Sequence, residues 1–134
     1  MKSRETLIRL KRFQVDEKRR RVAQIEMMMA DFERMAVDLD REIAAEEKKT
    51  GISDPNHFAY PTYARAAAQR RDNLRRSAQE LNGQLDDAKA TLGEAFEELK
   101  KVEMLEDRDR SAERALDAAA MSDAAQGRLA RASY

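Results

Sequence analysis

Apolar side chains recur at alternating spacings of three and four residues along two long stretches of this chain. Such a 3.5-residue repeat places apolar side chains on one helix face and is typical of coiled coils. The first stretch, the first seam, is apolar at eight of nine positions: Val15, Lys18, Val22, Ile25, Met29, Phe32, Ala36, Leu39 and Ile43. The second stretch, the second seam, is apolar throughout: Leu74, Ala78, Leu81, Leu85, Ala88, Leu92, Ala95, Leu99 and Val102. Two helices that pack on each other are therefore predicted.

The segment between the seams contains both prolines and the only histidine of the chain. Gly51 can adopt the left-handed conformation that ends a helix. We predict helices at about residues 4–49 and 61–110, joined by an ordered connector over residues 50–60. Residues 111–134 are rich in alanine but have no sustained apolar stripe, so we expect a helical extension or a disordered tail.

Composition excludes several classes of protein. With 4 Gly, 2 Pro and 5% aromatic residues, the chain has too few turn and strand formers for a β-sandwich or barrel. Gly83 and Gly93 lie inside the second predicted helix, where they indicate local bending or close contact. No apolar stretch is long enough for a signal peptide or a membrane span, so we expect a cytoplasmic protein.

Nothing in the sequence indicates catalysis. The absence of Cys excludes disulfides, thiolate nucleophiles and Cys zinc sites, and a single His, His57, excludes a cluster of His ligands. No glycine-rich phosphate loop or nucleophile–base pair is present. We therefore predict no enzymatic activity, no catalytic residues, no cofactor and no metal site. His57 is expected to form hydrogen bonds within the connector.

The formal net charge of zero, from 26 basic and 26 acidic residues, is the sum of four blocks of alternating sign. Residues 1–21 carry +6, residues 26–48 carry −5, residues 65–76 carry +4 and residues 80–107 carry −6. Folding the chain back near residue 55 places residue i opposite about residue 110 − i, so blocks of opposite sign meet. A parallel dimer would instead place +6 on +6.

These patterns predict an all-α fold. Residues 1–110 would form a two-helix antiparallel coiled-coil hairpin, an elongated rod with a frayed C-terminal tail. The same pattern allows an intermolecular antiparallel dimer of extended chains, although the short connector favours the hairpin. Seam burial would supply most of the stability, since an exposed ion pair contributes only about 0.2–1 kcal/mol.

Three groups of residues are candidates for partner contacts. The cations between Arg9 and Arg21 could pair with the acidic stretch Glu94 to Asp107, or dock on an acidic protein. Nucleic-acid binding is disfavoured because no base-stacking aromatics are interleaved with these cations. Around the connector, aromatic and aliphatic side chains either seal the hairpin tip or contact a partner; they are Ile52, Phe58, Tyr60 and Tyr63. Met27, beside Met28 and Met29, is expected to face outward.

The sequence resembles the FliJ family of flagellar export proteins, in particular its alphaproteobacterial branch. The resemblance covers about residues 1–110. It rests on the opening LIRLKRFQVDEKRRRVAQIE, the end of the first seam near Ile43, the connector with Phe58 and Tyr60-Pro-Thr-Tyr63, and the longer second helix.

That resemblance implies an antiparallel coiled coil similar to the γ-subunit stalk of rotary ATPases. It also implies a non-enzymatic component of the flagellar type III protein export apparatus. The expected partners are a FliI-like export ATPase, whose ring it would enter and whose assembly and activity it would promote, the cytoplasmic domain of a FlhA-like export gate, and export chaperones. The expected location is the cytoplasm, at the inner membrane through these partners only, with no nucleic acid partner.

The resemblance and the charge pattern together identify candidate site residues. The ATPase-docking candidates are Arg9, Lys11, Arg12 and Arg19. The export-gate candidates are Tyr60, Tyr63, Ala67 and Arg70. The alternative function is a generic coiled-coil scaffold or helical chaperone or adaptor unrelated to flagella, which would bind through an exposed apolar groove and tolerate changes in the basic block.

Overall fold

The protein is all-helical. The computed structural model describes the backbone of residues 2–132 and the side chains of residues 4–131. It contains two helices, α1 at Lys2–Thr50 and α2 at Thr62–Ala132, and the described residues include no strand. The predicted fold class and both predicted helices are therefore confirmed. Of the two alternatives for residues 111–134, a helix is found as far as Ala132, and the remaining two residues lie outside the described part.

The chain divides into two compact units. One, the connector unit, is Asp16–Gly93. The other, the second unit, combines the described residues up to Val15 with those from Glu94 onward. Each unit contains one segment of α1 and one of α2, and the two segments pack against each other with opposite chain directions.

The core of the connector unit is built from the two seams. Ile25 and Ala36 of the first seam and Leu81 of the second are buried. Near the connector, four buried residues form one cluster, against which Leu39, Ile52 and Ala68 pack; the four are Ile43, Tyr60, Ala64 and Ala67. The eight positions of the first seam in this unit, from Lys18 to Ile43, are all buried or half-buried, which confirms the 3.5-residue repeat as the packing face.

The connector is an ordered segment held by local hydrogen bonds. Gly51 has a φ of 74° and its N–H donates to the Glu47 carbonyl over 2.8 Å, so it ends α1 as predicted. Asp54 accepts from the Asn56 N–H at its carboxylate over 3.0 Å and from the His57 N–H at its carbonyl over 3.1 Å. The His57 ring accepts the Ala59 N–H at Nδ1 over 3.0 Å, which confirms the predicted local role of this histidine.

In the second unit the core is smaller and partly polar. Val15, Ala95 and Leu99 are buried, and Ile8 is half-buried. The next buried side chain along α2 is a carboxylate, Glu106, only 7% exposed. The side chains of residues 111–131 are all exposed, so the alanine-rich end of α2 is helical without burying a face.

Gly83 and Gly93 do not mark close contacts. A Cβ atom at either position would meet no heavy atom within 4 Å. Of the two predicted alternatives for these glycines, close contact is therefore wrong, because both lie on the solvent side of α2, away from the seam.

Alanine at these positions is expected to stabilise the protein. Gly83→Ala and Gly93→Ala should each raise the free energy of unfolding by about 0.8–1 kcal/mol, because alanine costs less backbone entropy in a helix. Gly51→Ala is the matched control, and it should lower the same quantity by roughly 1–2 kcal/mol because of its positive φ. Urea unfolding followed by circular dichroism measures all three. A loss of stability in Gly83→Ala would contradict the open space at that position.

Candidate partner-binding surfaces

In the second unit, cations of α1 pair with carboxylates of α2. Lys11 Nζ lies 2.9 Å from Glu98 Oε2, and an Arg12 nitrogen lies 3.4 Å from Glu103 Oε2. Arg4 hydrogen-bonds to Asp109 and lies 3.6 Å from Glu106. Every pair joins residue i to a residue near 110 − i, so the predicted meeting of the basic and acidic blocks is confirmed for these residues.

The packing face of the second unit ends in charged side chains. Glu106 and Asp109 follow Val102 at spacings of four and three, so they continue the second seam. Glu106 is buried and accepts a hydrogen bond from Arg110 Nε over 3.2 Å. The sequence analysis missed these carboxylates as packing residues because it followed only apolar residues. Their spacing, which continues the second seam, and their position opposite Arg4 could have identified them.

These ion pairs perturb the carboxylates that form them. The hydrogen bond from Arg4 lowers the pKa of Asp109, although partial desolvation opposes it. The hydrogen bond from Lys11 lowers the pKa of Glu98 in the same way. Both carboxylates are therefore ionised at neutral pH, and the cations opposite them are satisfied within the protein.

The four ATPase-docking candidates differ in what they contact. Lys11 and Arg12 are committed to the ion pairs of the second unit. Arg9 is exposed and forms no ion pair with any described residue. Arg19 is exposed in the connector unit, 3.9 Å from Asp16 on the same helix. Pairing thus leaves Arg9 more available to a partner than Lys11 and Arg12.

Asp40 is the centre of the corresponding ion-pair group in the connector unit. It lies 3.0 Å from Arg71 and 2.6 Å from Arg75, and Arg75 lies a further 3.6 Å from Glu33. Desolvation raises the pKa of Asp40, but the hydrogen bonds from Arg75 and Arg71 outweigh it and hold the pKa below its usual value. The predicted pairing of the −5 and +4 blocks is confirmed here.

Two of the export-gate candidates belong to the core. Tyr60 and Ala67 are each 6% exposed and pack with Ile43 and Ala64. The Tyr60 hydroxyl donates to Glu47 Oε1 over 2.8 Å, which raises the pKa of Tyr60. Their burial disfavours a role in partner contact, and their assignment as contact residues stays a prediction. Together with Arg71, they continue the three- and four-residue spacing of the second seam from Leu74 back towards the connector. Their side chains face α1.

The other two candidates, Tyr63 and Arg70, lie on an exposed surface. They line a shallow groove of about 270 Å³, the Tyr63 groove. Its lining consists of Met35, Asp38, Leu39, Glu42, Tyr63, Arg70 and Leu74. Tyr63 is 56% exposed, and its hydroxyl donates to Glu42 over 2.8 Å. The groove combines apolar side chains with both signs of charge, so it suits a protein partner.

The aromatic group around the connector is split between the core and the surface. Tyr60 is buried and Ile52 is half-buried, as sealing of the tip requires. Phe58 is 95% exposed and stacks on the His57 ring at a centroid distance of 4.7 Å. Tyr60 and Ile52 therefore pack against the end of the hairpin, whereas Phe58 is exposed to solvent.

The three consecutive methionines have different environments. Met29 is half-buried at its seam position, and Met28 is exposed beside it. Met27 is exposed, which confirms that it faces outward. Flexible thioether side chains at the surface suit adaptable contacts.

Neither a metal site nor a membrane span is found among the described residues, and the chain has no significant match among known proteins. Residues 2–132 contain no group of three or more His, Asp or Glu side chains that could hold a metal ion. None of their helices is sufficiently long and apolar to cross a bilayer. Comparison of the chain with protein-family models, curated proteins and solved structures finds no significant match.

The Asp40 ion pairs predict a pH-dependent stability. Because the pKa of Asp40 is lower in the folded chain than its unfolded value of about 3.9, its carboxylate stabilises the fold above that value and loses the effect as pH falls through the folded pKa. Asp40→Asn should lower the free energy of unfolding by roughly 1 kcal/mol at pH 7, and the deficit should disappear at strongly acidic pH.

Urea unfolding over a pH series measures this deficit. Asp38→Asn is the matched control, since its ion-pair partner Arg41 lies on the same helix at 3.6 Å. A deficit for Asp40→Asn that stays constant as the pH falls would contradict the role of its charge.

Proposed function

We propose that this chain is a non-enzymatic component of a flagellar type III protein export apparatus. It would act as a coiled-coil stalk that docks into the ring of a FliI-like export ATPase and promotes its assembly and activity. It would also link the ATPase to a FlhA-like export gate and to export chaperones. This role places the chain in the cytoplasm, at the inner membrane through its partners.

The observation that carries this proposal is the antiparallel pairing of two long helices. In the connector unit, the ion pairs of Asp40 join residues near i and 110 − i. In the second unit, the Lys11–Glu98 pair follows the same relation. The resemblance to the FliJ family implies such a coiled coil, and the pairing supports the proposal on that point.

Unpaired cations of α1 support the docking part of the proposal. Arg9 and Arg20 are exposed and form no ion pair with a described residue. Cations that the fold does not neutralise attract an acidic partner surface and accelerate its association. The charges that the fold leaves unpaired therefore favour Arg9 in the second unit and Arg20 in the connector unit over Lys11 and Arg12 as docking residues, and Arg19 stays a candidate from the charge pattern of the sequence.

The Tyr63 groove supports the gate-binding part. Its lining includes the apolar side chains of Met35 and Leu39, and Tyr63 and Arg70 are exposed along it. Tyrosine and arginine are the residue types that contribute most to the binding energy of protein interfaces, and here both are exposed beside apolar side chains. The gate contact is therefore proposed for Tyr63, Arg70 and Met35.

The same groove favours a second candidate function, a helical scaffold or chaperone unrelated to flagella. Such a protein would bind partner helices through the Tyr63 groove and would not depend on Arg9 or Arg19. Charge reversal at these two arginines separates the two functions.

An ATPase assay tests the proposed docking. The intact chain should stimulate a purified flagellar export ATPase and co-purify with it. Arg9→Glu combined with Arg19→Glu should weaken the association by about tenfold, because reversed charges repel an acidic docking surface.

The control for that assay is Arg34→Glu combined with Arg41→Glu. These arginines are exposed and pair with Asp31 and Asp38 three residues away, as Arg19 does with Asp16. Equal loss in both double variants, or no stimulation by the intact chain, would refute ATPase docking.

Binding to the cytoplasmic domain of an export gate tests the groove. Tyr63→Ala and Met35→Glu should each weaken binding at least about tenfold, the usual cost of removing an anchoring side chain. Tyr60→Phe is the control, because the Tyr60 side chain is buried. Isothermal titration calorimetry measures the affinities, and weakening by Tyr60→Phe alone would contradict the assignment.

A further inference from the structure

An apolar depression lies on the exposed side of α2 in the second unit. Lys101, Met104, Leu105 and Arg108 line this depression of about 460 Å³. Met104 is 70% exposed and Leu105 is 41% exposed. None of these residues belongs to the second seam, so α1 does not cover the depression. We call these four residues the Met104 patch.

A leucine of α1 adds apolar surface at the same level. The ion pairs Arg4–Asp109 and Lys11–Glu98 bracket Leu7 on α1 and place it level with Leu105 on α2. Leu7 is also exposed. Leu7 is therefore a further exposed apolar side chain at this level of the second unit.

The two cations of the Met104 patch lie outside the ion pairs between the helices, although they act electrostatically on Glu98 and Asp109. The neighbouring carboxylates Glu98 and Asp109 are occupied by Lys11 and Arg4. Lys101 and Arg108 form no ion pair with any described residue. They lie seven residues apart, or about 10.5 Å along the helix, with the apolar side chains between them.

This charge arrangement excludes a second copy of the chain as the occupant. In an antiparallel pairing centred on Met104 and Leu105, Lys101 of one copy would face Arg108 of the other. In a parallel pairing, Lys101 would face Lys101. Both arrangements bring like charges together beside the contact, where they are destabilising.

An anionic bilayer fits less well than a protein. The exposed carboxylates Glu97 and Asp107 lie on the same outer side of α2 as the Met104 patch. A bilayer would cover both carboxylates, whereas a helix that spans Lys101 to Arg108 ends about one turn short of Glu97 and leaves Asp107 to one side.

We propose that the Met104 patch binds an amphipathic helix of a partner protein. The helix would place apolar side chains on Met104 and Leu105, and acidic side chains about two turns apart against Lys101 and Arg108. This inference goes beyond the proposed function, because it assigns an occupant to a face that contains none of the ATPase-docking or gate-binding candidates.

A designed peptide tests the proposal without any export protein. The probe is a fluorescein-labelled helix of about three heptads, with leucines at every third and fourth position and glutamates beside them. The matched control peptide has the same sequence with lysine in place of each glutamate. Fluorescence anisotropy with the full chain measures both affinities. The glutamate peptide should bind at least about tenfold more tightly.

Variants of the chain locate the contact. Met104→Glu should weaken binding of the glutamate peptide at least about tenfold, and Lys101→Glu with Arg108→Glu should reverse the preference between the two peptides. Leu116→Glu is the control, since Leu116 is equally exposed on α2 but lies outside the Met104 patch. Circular dichroism verifies that each variant remains helical.

Several results would overturn the proposal. These are no binding of either peptide, equal binding of both, or an unchanged preference in the Lys101 and Arg108 variant. Self-association of the chain in light scattering that Met104→Glu abolishes would identify a second copy as the occupant. Sedimentation with phosphatidylserine vesicles that depends on Met104 would identify a bilayer. Each outcome is independent of the ATPase and gate assays, so this inference and the proposed function can fail separately.

Discussion

The alignment of α1 against α2 is the constraint on which the other contacts depend. Within the connector unit, the Ile43–Tyr60 cluster fixes which residues are level with each other. Asp40 then comes opposite Arg71 and Arg75, and Glu42 comes opposite Tyr63. Shifting one helix by a single turn would separate each of these pairs while leaving alanines and leucines in contact. Burial of the apolar seam therefore holds the two helices together, and the charged side chains determine which of several alignments they adopt.

Most seam residues are small, which explains why burial of the seam alone does not fix the alignment of the two helices. Ile25 is the one large side chain less than 2% exposed among the described residues, and the alanines of the second seam bury little area. Each ion pair is partly exposed, so none contributes more than about 1 kcal/mol. A seam this thin tolerates charged residues within it: Lys18 and Arg71 occupy packing positions, and Glu106 is buried beside Arg4.

Much of this arrangement can be predicted from the sequence, because it depends on local rules. The 3.5-residue spacing predicts both helices, Gly51 predicts the end of α1, and the charge blocks predict which segments meet. The buried positions of Tyr60 and Ala67 could not be found by following apolar residues, since Arg71 interrupts the apolar pattern between Leu74 and the connector. Glu106 was missed for the same reason. The helix over residues 111–131 exposes all its side chains and so shows no apolar pattern, and only the helix propensity of alanine indicated it.

Internal pairing also decides which surface charges can act on other molecules. Lys11 and Arg12 lie in the most basic segment of the chain, yet their charges are neutralised by Glu98 and Glu103. Arg9 is adjacent in sequence but lies off the packing face and remains unpaired. On α2, Lys101 and Arg108 form no ion pair with a described residue, while Lys11 and Arg4 pair with Glu98 and Asp109. A dense basic block is therefore a poor guide to a binding site in a coiled coil: a partner responds to the cations that remain after the two helices have paired, and these are set by the alignment.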